Sequence, residues 1–219
     1  MVTVPAARTS RSQRADGTRE AILDVAERMF AEHGVFAVSN RQISEAAGQG
    51  NNAAVGYHFG TKTDLLRAIV RRHSEPIDTV RRRMVDATGD SAEVRDWVAC
   101  LVRPSTEHLA ELTHPTWYAR FGAQLMTDPV LREMVIDESF GPSIQQTLDG
   151  LNRCLPGLPL PVRIERGDMA RNLLVHMLAE RERALADGAH TARASWHTYA
   201  TGLIDAITAI WLAPATSAD

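Results

Sequence analysis

Apolar residues recur at i, i+3, i+4 and i+7 in segment after segment of this 219-residue chain, while alternating β-branched runs are missing. That period is one face of an α-helix, so the pattern predicts an all-α protein. Aromatic residues, the other builders of sheets, make up only 5% of the chain. With 44% apolar residues, a chain of this length can close one or two hydrophobic cores. No stretch approaches the ~20 apolar residues of a spanning helix, and residues 1–17 lack the apolar run of a secretory leader. Cys100 and Cys154 are too few for a disulfide framework or a metal knuckle. A cytoplasmic protein without metal, cofactor or membrane contact is expected.

Charge is segregated along the chain. Residues up to Arg83 carry 13 Lys and Arg against 9 Asp and Glu, and the remainder carries 11 against 18. A basic front on an acidic body suits a protein whose one end meets a polyanion.

The first helix is expected to begin at Thr18, bury Ile22, Ala26, Met29 and Phe30, and stop at Gly34. Ser39 with Gln42 three residues on forms a capping-box pattern for a second, short helix. It turns Ile43, Ala46 and Ala47 inward and ends at Gly48. A third short helix spans 51–58, with Val55 and Phe59 inward. A fourth follows from the Thr61 and Asp64 cap, with Leu65, Leu66, Ile69 and Val70 as its stripe and an interruption or kink at Pro76. Further helices are expected near 91–112, 115–126, 128–153, 163–186 and 191–212.

Two short helices joined at a glycine and propped by a preceding helix make a helix-turn-helix, whose second helix enters the major groove. Its outward face, with Asn52, Ala53, Gly56 and Tyr57, is bare of long side chains and suits close approach to base edges. Asn51 or Asn52 can pair with adenine, Ala53 can touch a thymine methyl, and Arg41 is the candidate for guanine. Ser39, Tyr57, His58 and Lys62, the only lysine in the chain, sit at helix ends where phosphates are gripped. Arg8, Arg11 and Arg14 lie in a loop-rich stretch that reads as a basic arm over residues 1–17.

The first-helix run Ile22 to Phe30, Gly34, Ser39-Asn40-Arg41, Ile43 to Gly48, Tyr57 to Lys62 and Asp64-Leu65-Leu66 together resemble the DNA-binding domain of the TetR family of bacterial transcriptional regulators. The resemblance covers residues 18–66 and implies a DNA-binding domain over 18–62. Residues 63–219 are then a larger helical domain that binds a small-molecule effector and pairs two chains. It also carries over Ser39, Asn40, Arg41, Asn52, Ala53, Tyr57, His58 and Lys62 as DNA contacts. Ten residues separate Gly48 from Phe59, one more than the family's commonest spacing, which leaves Asn51 and Asn52 as alternative readers.

The resemblance places the effector pocket among the middle helices. The apolar and aromatic inventory there is Trp97, Leu101, His114, Trp117, Tyr118, Phe121, Met134, His176 and Met177, with Met126, Phe140 and Met169 beside them, and it suits a hydrophobic or amphipathic ligand. Two stripes, Leu173, Leu174, Met177 and then Trp196, Leu203, Ile204, Ile207 and Trp211, are wide enough to pack two helices against two more in a homodimer. Covering the core of a single chain is their other reading.

Enzyme motifs do not survive their context. Gly48-Gln49-Gly50-Asn51-Asn52-Ala53 matches a dinucleotide fingerprint formally but follows an amphipathic helix rather than a strand. Neither H-E-x-x-H nor G-x-S-x-G occurs. The expected function is a non-enzymatic regulator, most simply a repressor released from a palindromic DNA operator by an effector. The alternative is a helical protein-interaction module that binds no DNA.

Overall fold

The structure is a computed structural model that describes residues 6–215, and among them every regular element is an α-helix. In order they are α1 (Ala6–His33), α2 (Asn40–Ala46), α3 (Ala54–Phe59), α4 (Lys62–Thr88), α5 (Val94–Glu111), α6 (Tyr118–Met126), α7 (Pro129–Ser139), α8 (Pro142–Cys154), α9 (Leu160–Ala186) and α10 (Trp196–Leu212). The chain divides into two compact units, one ending at Ile69 and the other beginning at Val70.

In the first unit, Ile22, Ala26, Phe30, Ile43, Val55 and Leu65 are wholly buried. The chain reverses at Gly34 and Gly48 with φ of 85° and 68°, a region that costs any residue with a Cβ. Ser39 caps α2 in the expected reciprocal box with Gln42. The inward side of α2 is narrower than its pattern implied: Ile43 and Ser44 are buried, whereas Ala46 is exposed and Ala47 half-buried. Ser44 is admitted because its hydroxyl donates to the Asn40 carbonyl at 3.0 Å and accepts from the Val55 amide at 3.4 Å. A polar group buried here costs little because both of its bonds are made.

Helix α1 begins at Ala6, twelve residues before the expected Thr18. Residues 6–17 therefore continue the helix rather than form a loop-rich stretch. Ala6, Ala7, Gln13 and Ala15 are strong helix formers, and the single Gly17 costs only about 1 kcal/mol. The side chains of Arg8, Arg11 and Arg14 lie outside the described set. Helix α4 runs unbroken through Pro76, and α3 begins at Ala54 rather than at residue 51.

In the second unit the expected helix over 128–153 is two helices, α7 and α8, parted at Phe140 and Gly141. Pro142 is the cause: it bars the preceding residue from helical geometry and starts α8 from its own fixed φ. α5 packs on α10 and α8, and α6 packs on α9. α5 and α8 approach so closely that a Cβ on Gly150 would stand 2.4 Å from three atoms of the Trp97 indole. Trp97 is itself 2% exposed and donates its indole N–H to the Ser91 carbonyl at 2.9 Å. No helix of the described residues is long and apolar enough to cross a membrane.

Candidate nucleic-acid interface

In the first unit, the short α3 buries Ala54 and Val55 and turns Asn52, Ala53, Gly56 and Tyr57 to solvent, Tyr57 being 83% exposed. Nothing lies within 4 Å of where a Gly56 Cβ would stand, so this face is open as well as short-chained. The guanidinium of Arg19 closes the other side, 4.3 Å above the Phe59 ring, and donates to the His58 carbonyl at 3.3 Å. His58 is half-buried, with its ring edge-on to Tyr57 at 5.0 Å. α3 is thus fixed from behind by Ile43, Val55 and Arg19 while its front stays free.

The two asparagines at the start of α3 differ. Asn51 spends its side-chain oxygen on the Ala53 amide at 2.9 Å, an Asx turn that starts the helix. Asn52 is exposed beside it. On α2, Arg41 is exposed and pairs with Glu45 one turn later at 2.8 Å, which raises its already high pKa through that hydrogen bond. An exposed pair of this kind is weak and exchanges readily for a phosphate or base. Asn40 is half-buried and its side-chain oxygen has no partner within the chain.

Lys62 departs from its expected place at a phosphate. Its ammonium donates to the carbonyls of Val35 and Val38, 5.5 Å from the Phe30 ring, and partial burial pushes its pKa down. A cation carrying two backbone carbonyls is a tie inside the unit, not a free charge on its surface.

In the second unit, the residues expected to hold an effector do not form one site. Trp97 and Phe121 are core, Met134 is buried, and Leu101, Trp117 and Tyr118 are half-buried. His114, His176 and Met177 face outward. The dimer stripe on α10 is also corrected: Trp196, Leu203, Ile204, Ile207 and Trp211 are each at most 5% exposed in the core of the single chain. Their apolar surface is used on α5 and α9, as the alternative reading of that stripe held. On α9, Leu173 and Leu174 are half-buried, and Met177 is exposed together with Leu160, Ile164 and Met169.

Sequence reasoning missed the polar interior of this unit. His73 and His108, both buried, meet through Nδ1 and Nε2 at 2.8 Å, and the His73 ring stacks on Tyr118 at 3.9 Å. Burial, with His73 and Arg72 nearby, lowers the His108 pKa to about 4. Arg81, also buried, donates to the Cys100 carbonyl at 3.2 Å. Glu182, 2% exposed, accepts from the amides of Ala119 and Arg120 and from the Arg120 guanidinium at 2.9 to 3.2 Å. The available signal was position: His73 falls on the buried stripe of α4 between Ile69 and Ile77. An open groove of about 460 Å³ lies between α4 and the α7–α8 corner, lined by Ser74, Asp78, Arg82, Glu138, Phe140 and others.

Comparison with known proteins places both units. Residues 22–69 match the family described as bacterial regulatory proteins, tetR family, and residues 99–209 match the tetracyclin repressor-like C-terminal domain. The HTH-type transcriptional repressor AcnR of Corynebacterium glutamicum is 27% identical over 171 residues, 78% of this chain and 79% of that protein. The HTH-type transcriptional regulator BetI of Rhizobium meliloti is 30% identical over 120 residues, 54% of this chain and 57% of that protein. A TetR family transcription regulator from Marinobacter aquaeolei shares the fold with a TM-score of 0.58 at 16% identity, covering 91% of this chain and 96% of its own.

Proposed function

The chain belongs to the TetR family and is a DNA-binding transcriptional regulator, and from that premise we propose how its own residues do the work. It acts as a homodimeric repressor, each copy laying α3 into the major groove of one half of a palindromic operator. The observation that carries this reading is the open α3 face of Asn52, Ala53, Gly56 and Tyr57, held from behind by buried Ile43 and Val55. Side chains this short let the backbone approach base edges.

Asn52 is the adenine reader, since Asn51 is engaged in starting the helix. Arg41 leaves Glu45 for a guanine, and Ser39, Asn40, Tyr57 and His58 contact the backbone alongside. Lys62 contributes no phosphate contact. Pairing of two copies uses the outward side of α9, where Leu173, Leu174 and Met177 lie, and not the stripe of α10.

The domain beyond residue 62 binds a small amphipathic effector. The groove at the α7–α8 corner supports that class, because it sets the half-exposed Phe140 ring beside Asp78, Glu138 and Arg82. An effector that fits one dimer geometry better than the other releases DNA by that difference in affinity. α4 begins beside the reading helix and continues into this domain, so its displacement is the lever.

Selection of duplexes from random pools tests the reading. The purified protein is expected to enrich a palindrome, to bind it as a dimer, and to lose affinity steeply as salt rises. A protein that stays monomeric and enriches no duplex at low ionic strength refutes it.

A further inference from the structure

Phe36 is the most exposed phenylalanine of the described chain at 77%, yet the turn that carries it is fixed. On either side of it Val35 and Val38 are buried, at 4% and 2% exposure. The Lys62 ammonium binds the carbonyls of those same two residues, so both ends of the turn are tied to the start of α4. An isolated exposed apolar side chain on a loose loop needs no explanation. Here the ring is held out by a clamp built from the only lysine in the chain, three residues before Ser39 and five before Arg41.

We propose that Phe36 is a DNA-contacting residue, its ring lying against deoxyribose of the operator strand beside Ser39 and Arg41, and that Lys62 is the residue that positions it. The proposal rests on the DNA-binding reading and adds to it a contact of different chemistry. Sugar edges are the apolar part of a duplex backbone and are the same at every base pair, so such a contact adds affinity without reading sequence. It neutralises no phosphate and releases no counterion. Its loss therefore leaves the salt dependence untouched, whereas loss of one phosphate contact lowers that slope by about 0.9.

The test uses the full-length protein and a duplex that the wild type has itself selected. Phe36→Ala is expected to weaken binding about fivefold, the effect of uncovering part of one aromatic ring. The salt slope and the melting temperature stay at their wild-type values, and Phe36→Leu recovers most of the affinity. Lys62→Met keeps the apolar stem and removes the donors. It is expected to lower the melting temperature and weaken binding with the salt slope intact, and Phe36→Ala then costs less in its background than in the wild type.

Equal binding by Phe36→Ala and wild type overturns the proposal while leaving the DNA-binding reading standing. A loss confined to cooperativity between neighbouring dimers, with single-site affinity intact, assigns the ring to a protein neighbour and also overturns it. A salt slope reduced by about 0.9 in Lys62→Met makes Lys62 a phosphate ligand and removes the clamp. Failure of the wild type to select any duplex takes down both readings together.

Discussion

The two units are held together by different means. In the unit ending at Ile69 the polar bonds are mostly short-range and exposed: Ser39 with Gln42, Arg41 with Glu45, Thr61 with Asp64. In the unit beginning at Val70 they are buried and join distant segments, as Glu182 reaches Arg120 across 62 residues and His73 reaches His108 across 35. A reading head made of local caps keeps its face free for a partner, because its bonds are satisfied within one turn of chain. A body made of buried charges is fixed by packing and has few alternative arrangements, which suits a part that answers a ligand by switching between defined states.

Four measurements break or sharpen that contrast. Glu182→Ala leaves the Arg120 guanidinium buried with only the Thr116 carbonyl, and is expected to destabilise the protein by about 3 to 5 kcal/mol in chemical denaturation. A loss below ~1 kcal/mol would mean that the body is no more dependent on its buried pair than the head is on its caps.

Next comes acid. The folded His108 pKa of about 4 lies below the ordinary 6.5, so the unfolded chain binds the proton more readily. The stability this histidine contributes is complete above pH 6.5 and is lost as pH falls toward 4, to the extent of about 3 kcal/mol. Melting curves of wild type and His108→Asn across that window should converge as pH falls. Parallel curves would show that His108 carries none of the acid sensitivity.

Arg41→Ala is expected to lower operator affinity by about tenfold or more and to relax selectivity at one base pair. Melting temperature should stay unchanged, since its only partner is an exposed Glu45. A lower melting temperature would make Arg41 part of the head's framework instead of its reading surface. Smallest is Ser39→Ala, which removes one helix cap at a cost of about 1 kcal/mol. A larger loss would show that the head, too, depends on more than local bonds.

The same contrast explains what was legible in the sequence. The Ser39–Gln42 cap, the reversals at Gly34 and Gly48 and the buried stripe of α4 each depend on residues within four positions of one another, and a pattern reader sees that range. The start of α1 was misjudged because Ser, Thr and Arg were weighed as loop residues, while the alanines among them favour helix. The break before Pro142 was masked by an apolar period that continues across it. Lys62 sits where a phosphate contact is expected, and only the fold brings Val35 and Val38 to its ammonium. The α10 stripe has the amphipathic width of an interface, and sequence cannot say whether a second chain or the same one covers it. For the proposed DNA contacts the residues were nameable beforehand, but the division of labour between Asn51 and Asn52 depends on one backbone amide.

Gly150 has a practical consequence. A single added methyl there would be driven into the flat of the Trp97 indole, forcing α5 and α8 apart. Such a misfit is a route to a heat-sensitive allele: a variant that assembles in the cold and comes undone on warming, giving thermal control of whatever genes the protein governs with no inducer added.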